Sequence, residues 1–227
     1  MDKLETLKKA KAEVIQSFTP TNEFLANFIT SQFGFEEDDL SEAEVLKVLD
    51  GKKTKLTTQL QKGILNEKEA FLKIFDMAKQ GEDMDEKHLK DIHAILLKDL
   101  NPLGGLYRQV NISVKGSSYI PPHFLKVYDK MNKYFVETLN PFGNLYENIS
   151  YAHLQLTKVR PFIDANGRLA RIVLNYHLIK NGFLPIVINY KKPQEYFALL
   201  EEFKVQKNIK PFVEYLIKEE ALVLEAL

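Results

Sequence analysis

Asp164, Asn166, Gly167, Arg168 and Arg171 fall close together where one helical pattern stops and the next begins. Small residues at such a junction let backbone N–H groups turn toward an anion, and the helix dipole adds favourable potential there. The Asp164 carboxylate is of the kind that holds a divalent cation beside a phosphate. Arg168 and Arg171, three residues apart on the first turn of a helix, reach one polyphosphate together. The constellation suits a nucleoside triphosphate with Mg²⁺. The same residues also read as an ordinary helix start whose arginines make surface ion pairs, and the pattern alone leaves both readings open.

Arg160, at the head of this loop, offers donors only and stays charged near neutral pH, so it cannot act as a base there. Of the five histidines, His153 lies seven residues before Arg160, roughly 10 Å along a helix axis, beyond direct proton transfer. His177 is two to three turns into the following helix. His88, His93 and His123 have no spacing relation to the loop. All five read as packed or surface histidines.

The elements that must position the loop are almost all helical. Leu4, Leu7, Ala10, Val14 and Ile15 recur at helical spacing up to Pro20, and Thr21 or Asn22 can cap a second helix through Phe24, Leu25, Phe28 and Ile29. Ser41 with Glu44 reads as a capping box, closed by Gly51. Long helices are expected over about 65–78 and 85–100, another follows Pro121-Pro122, and one over 149–159 leads into the loop. The helix after the loop ends at Asn181-Gly182, and two more, over about 195–203 and 211–224, finish the chain. The turn cluster Asn140-Pro141-Phe142-Gly143-Asn144 separates two of them. Residues 109–114 alternate polar and apolar and stop at Lys115-Gly116, the one strand signal. The expectation is an all-α fold with one short β-hairpin flap beside the loop, residues 1–62 forming a helical leading segment and 63–227 the domain proper.

Composition narrows the partners. Lys+Arg and Asp+Glu balance at 31 each, so no electrostatic search for nucleic acid or anionic membrane is expected. There are no cysteines, which removes disulfides, thiolate nucleophiles and cysteine metal sites. No signal-type apolar stretch opens the chain, and no run approaches the roughly 20 apolar residues of a membrane span. A cytoplasmic address is expected, with delivery as an effector the alternative.

The stretch Arg160-Pro161-Phe162-Ile163-Asp164-Ala165-Asn166-Gly167-Arg168-Leu169-Ala170-Arg171 resembles the Fic signature His-Pro-Phe-x-Asp-Gly-Asn-Gly-Arg-x-x-Arg, departing at Arg160 and Ala165. Tyr107-Arg108-Gln109-Val110-Asn111-Ile112 followed by Pro121-Pro122 resembles the family's flap and the helix after it. His93 in its Ile-His-x-x-Leu setting and Leu178 to Ile186 also fit, and the likeness runs over about 85–212. It implies a helical Fic fold and transfer of AMP from ATP to a protein hydroxyl. Carried over, Asp164 holds Mg²⁺, Asn166 and Gly167 build the anion hole, and Arg168 and Arg171 clamp the outer phosphates. Val110, Asn111, Ile112 and Ser113 dock the target as an added strand. Arg160 stands where the family has its proton-abstracting histidine. Ala165 also occurs in the kinase-like Doc branch, but Gly167 after Asn166 is similar to the AMP-transfer type.

Many members of this family carry an inhibitory helix, Ser/Thr-x-x-x-Glu-Gly/Asn, whose glutamate pairs with the second motif arginine. Leu40-Ser41-Glu42-Ala43-Glu44-Val45-Leu46 resembles the segment that follows an amino-terminal version. That register puts Glu36 at the inhibitory glutamate, Gln32 at the Ser/Thr and Glu37 at the Gly/Asn. A Glu36–Arg171 pair is therefore expected, the alternative being a solvated acidic loop. Three functions compete. One is a pseudoenzyme that binds nucleotide and regulates a partner, such as a Fic paralogue, in the manner of an antitoxin. The second is a transferase with a non-standard base, and the third is an interaction module without nucleotide.

Overall fold

The computed structural model describes residues 8–36, 40–114, 116–140 and 143–226. Among them the elements run α1 (Ala12–Ser17), α2 (Asn22–Gly34), α3 (Glu42–Leu49), α4 (Thr58–Lys79) and α5 (Glu86–Leu96), then a 3₁₀ turn at Phe124–Lys126. They continue as α6 (Val127–Leu139), α7 (Leu145–Val159), α8 (Asn166–Lys180), α9 (Pro193–Gln206) and α10 (Lys210–Glu225). Leu4, Leu7, Glu37, Lys115, Pro141 and Phe142, which entered the sequence reading, lie outside the described residues.

Starts and stops follow local chemistry. Thr21, Ser41, Thr57 and Asp85 each accept a hydrogen bond from a backbone N–H three residues on, satisfying a donor that the helix cannot. The Ser41 half of the expected capping box forms, but the Glu44 carboxylate turns to Lys47 and Thr54 instead. A full capping box forms at Asn144 and Glu147, at the start of α7.

α8 is the hub. Asn166, Arg168, Leu169 and almost every residue from there to Ile179 are buried, and a helix covered on all sides belongs at the centre of a domain. Leu169, Ile172, Val173 and Tyr176 enter one core cluster with Phe28, Phe71 and Ile74. Leu174 and Leu178 enter a second with Phe183, Tyr196, Phe212 and Leu216. α8 packs mainly on α4 and α7. α4 runs across the 62/63 division, and Phe33 and Val45 before it share a core with Phe71 and Ile172 after it.

The expected β-hairpin is not there: no strand occurs among the described residues. The chain does reverse at Gly116, whose φ of +74° suits glycine, and Ser117 N–H donates to Val114 O at 3.1 Å. The arms do not pair. Alternation specifies a strand when one face is buried, yet Val110 and Ile120 are 51% and 80% exposed. The backbone is tied by side chains instead. Arg108 donates to Val110 O and Pro122 O, and Asn111 Oδ1 accepts from Phe124 N–H. The all-α class stands and the hairpin is replaced by an open loop.

Candidate functional site

The loop from Arg160 to Ala165 joins α7 to α8 through two left-handed residues, Arg160 (φ 46°, ψ 68°) and Ala165 (φ 53°, ψ 14°). Neither is glycine, so side-chain bonds must hold the turn. Asn166 supplies two of them: Oδ1 accepts from Phe162 N–H at 3.0 Å and Nδ2 donates to Phe162 O at 2.8 Å. Arg108 supplies two more, Nε to Arg160 O and backbone N–H to Pro161 O, both at 2.9 Å.

His93 completes the clamp. Gly105 N–H donates to Nδ1 at 2.9 Å, which places the ring proton on Nε2, and Nε2 donates to Asp164 O at 3.1 Å. The ring stacks on buried Phe162 with centroids 3.7 Å apart. Burial pulls its pKa down to about 4, so the ring is a neutral strut. His153 is likewise structural. Nδ1 donates to Ala170 O at 3.0 Å and Nε2 accepts from Tyr196 Oη at 2.9 Å. Burial holds it at about 3.

Arg160 is half-buried. Its Nε is fully buried and has no hydrogen-bond partner. Burial lowers its pKa, while Tyr196, Arg171, Asp164 and Glu36 all act on its charge. The positive charge of Arg171 is thus one that Arg160 feels within the site.

The two motif arginines are already engaged by the end of α2. Arg168 Nε lies 3.0 Å from Glu36 Oε1, and its Nη1 lies 3.1 Å from Oε1 of fully buried Glu67. The expected partner of Glu36 was Arg171; the structure places it on Arg168. Arg171 instead donates to Gln32 Oε1 and, at 3.1 Å, to Gln32 O, and it also hydrogen-bonds Tyr196. Phe35 covers the Arg171 guanidinium at 4.5 Å and packs on Tyr196 and Phe197. Beside it, Gly34 admits the Tyr190 ring, which a Cβ there would meet at 2.1 Å. Burial raises Glu67 to about 6 against the pull of Arg168, and both acids act to hold Arg168 charged.

A polyphosphate with its metal fits this site conditionally. The Asp164 carboxylate is exposed, and no group of three His, Asp or Glu that could hold a metal occurs among the described residues. One carboxylate suits Mg²⁺ completing its shell with phosphate oxygens and water, not an all-protein cage. The arginines could serve phosphates once Glu36 and Gln32 withdraw. Gly167 sits open at the α8 N-terminus, its nearest neighbour to a hypothetical Cβ being Arg171 Nη1 at 3.3 Å. Asn166, by contrast, spends its side chain on Phe162. Val110, Asn111 and Ser113 are exposed on the open loop and Ile112 is half-buried.

Sequence reasoning assigned no role to Glu67 or Tyr196, and none to Arg108 or His93 as clamps. The signal for Arg108 lay in its place inside the flap-like stretch. Glu67 carried a weaker one, a lone acid within an apolar helical face.

Comparison with known proteins agrees with this geometry. Residues 83–178 match the Fic/DOC family. The chain is 27% identical over 154 residues to Protein adenylyltransferase fic-1 of Caenorhabditis elegans, covering 65% of this chain and 29% of that protein. It is 27% identical over 146 residues to Protein adenylyltransferase Fic of Nematostella vectensis, covering 63% and 34%. It therefore spans about a third of the length of these relatives. A Fic domain containing signaling protein from Bacteroides thetaiotaomicron superposes with a TM-score of 0.85 at 18% identity, over 98% of this chain and 95% of that one. A Fic family protein from Desulfovibrio desulfuricans gives 0.81 at 19%, over 100% and 74%. The chain thus has the fold of the Fic-domain structures, and its stretch from α5 into α8 is similar to the Fic/DOC family.

Proposed function

We propose that this protein is a pseudoenzyme of the adenylyltransferase type, one that keeps a nucleotide pocket without the means to transfer AMP. The observation that carries the reading is Arg160, a half-buried arginine with an inaccessible Nε at the head of the loop where the proton-abstracting histidine would stand. General-base catalysis typically contributes 10²–10⁴-fold, and no other histidine replaces it, since His93 and His153 are both locked as neutral struts.

The pocket itself supports nucleotide binding. Arg160 and Arg171 offer two guanidinium groups at a helix N-terminus, where an outer phosphate would find charge-assisted bonds. Asp164 would hold Mg²⁺, which would neutralise phosphate charge. Glu36 and Gln32 close the pocket from within, so nucleotide and the end of α2 compete for the same arginines. The backbone from Asn111 to Ser113, in no strand ladder among the described residues, would receive a strand from a protein partner beyond the Val110 carbonyl that Arg108 holds. A partner that frees the end of α2, or is held by the open loop, gives such a protein a regulatory role, and a Fic paralogue is the partner proposed.

Incubation with labelled ATP, Mg²⁺ and a cell lysate tests this. The protein should transfer no label, whereas Arg160→His, favourable at a left-handed position, should restore transfer when combined with Glu36→Gly. Robust labelling by the unaltered protein, lost on Asp164→Ala, would replace the pseudoenzyme with a transferase using a different base.

A further inference from the structure

A second cavity, of about 450 Å³, opens behind the flap between its return arm, α6, α7 and α9. None of its lining residues belongs to the loop 160–171. Its floor is apolar and buried, formed by Tyr134, Val159 and Phe203. Its rim carries four amines, those of Lys130, Lys133, Lys158 and Lys207, and no carboxylate. We propose that this pocket binds a small aromatic anion about the size of a nucleoside monophosphate, its ring over the Phe203–Tyr134 floor and its phosphate among the lysines.

The charge balance points to an anion. Lys133 approaches Glu137 at 3.5 Å, and Glu137 also accepts from Tyr151 Oη at 2.6 Å, so that acid is already shared. Lys130 and Lys207 have no ion-pair partner among the described residues. Lys158 is half-buried and donates to Lys204 O at 3.0 Å, with its ammonium near the Phe203 and Tyr119 rings. Burial lowers its pKa, and the charges of Lys207 and Lys130 lower it further. An anion among these amines relieves that repulsion and gains charge-assisted hydrogen bonds.

The backbone holds the rim in place. Lys207 ends α9 in the left-handed conformation, φ +59°, where a lysine is strained. Ser117 Oγ donates to Glu201 Oε1 at 2.6 Å and so ties the arm carrying Tyr119 to α9. Gln155 and Tyr151, linked at 2.7 Å, add polar groups to the wall. An apolar floor with a few convergent polar groups, at this volume, is the usual form of a small-molecule site.

Calorimetry on the full chain with AMP as probe, and with adenosine and inorganic phosphate in parallel, tests the assignment. AMP should bind more tightly than either fragment. The double variant Lys130→Gln/Lys207→Gly should weaken AMP by about tenfold or more, the loss of one to two charge-assisted bonds. Glycine suits φ +59°, so this variant should keep its helical circular dichroism and melting temperature. Arg171→Ala, in the other site, should leave AMP binding at this pocket unchanged. Loss in Arg171→Ala with retention in the lysine variant would place the anion in the loop and overturn the proposal. Equal binding of adenosine and AMP, or no heat with AMP at millimolar concentration, would overturn it as well.

Discussion

Glu36 Oε1 lies 3.0 Å from Arg168 Nε, on a guanidinium whose Nη1 is held by Glu67. The two acids differ. Glu67 is fully buried, while the Glu36 side chain keeps 38% of its exposure. Glu36 is therefore the removable partner and Glu67 the permanent one. Solvent screening limits the Glu36 contact to the range of an exposed ion pair.

Withdrawing Glu36 should accordingly do less for nucleotide than withdrawing Gln32. Glu36→Gly should tighten Mg²⁺-ATP by about twofold to fivefold. Gln32→Ala should tighten it by about tenfold, because it removes the side-chain partner of one N–H of a buried guanidinium, a donor that a phosphate oxygen can then satisfy. Calorimetry on both variants, with Glu37→Gly as the charge control, decides the matter. Equal effects of Glu36→Gly and Glu37→Gly would leave only the general negative field of the segment.

Ala165 occupies φ 53°, ψ 14°, where Cβ crowds the following carbonyl. Ala165→Gly should therefore stabilise the fold by about 1 kcal/mol, the strain relieved outweighing glycine's entropy. Urea denaturation measures it. A destabilised glycine variant would mean that the methyl, 3% exposed, contributes more by packing than it costs in strain.

The loop was legible in the sequence because its chemistry is local: small residues, one acid and two arginines at helical spacing. Helix positions were legible for the same reason, from period and caps. What stayed hidden depends on distant segments. Glu67 meets Arg168 across 101 positions and Gln32 meets Arg171 across 139, and nothing in either stretch names its partner. The hairpin misled because alternation at 109–114 looks the same whether or not a face is buried. The tertiary structure leaves both arms open and lets Arg108 take the carbonyls.

Three histidines with lowered pKa values, His93 and His153 buried and His177 half-buried, should make the fold acid-sensitive. Burial sets His93 at about 4, His153 at about 3 and His177 at about 4, each below an ordinary value of 6.5. A depressed histidine contributes stability that is complete above about 6.5 and lost as pH falls toward its folded value, at about 1.4 kcal/mol per pH unit per proton. Glu67, raised to about 6, works the other way over pH 4.5–6 and partly offsets the slope. Urea midpoints between pH 6.5 and 4.5 should show net proton uptake on unfolding, reduced by Glu67 and by Glu220, which is raised to about 8. His177→Leu should flatten the slope by one proton, since its buried Nε2 has no partner to lose. An unchanged slope in that variant would show that His177 is protonated in the folded state.

Glu220 should act at the opposite end of the pH scale. It is fully buried in α10, neither carboxylate oxygen has a hydrogen-bond partner, and burial raises it from 4.5 to about 8 against a weak pull from Lys8. A raised acid contributes stability that is complete below about 4.5 and lost as pH rises through its folded value. Near neutrality the folded protein keeps Glu220 protonated, whereas the unfolded chain would release that proton. Ionisation favours unfolding over this range, and above pH 8 the folded state must carry an unpaired buried charge. Glu220→Leu removes the titration and fills the same space with apolar surface. Its gain over the parent should be small at pH 4.5 and should widen to a few kcal/mol by pH 8.5, read as diverging melting temperatures. Parallel curves across that range would show that Glu220 reaches solvent or a cation in the folded protein and titrates normally.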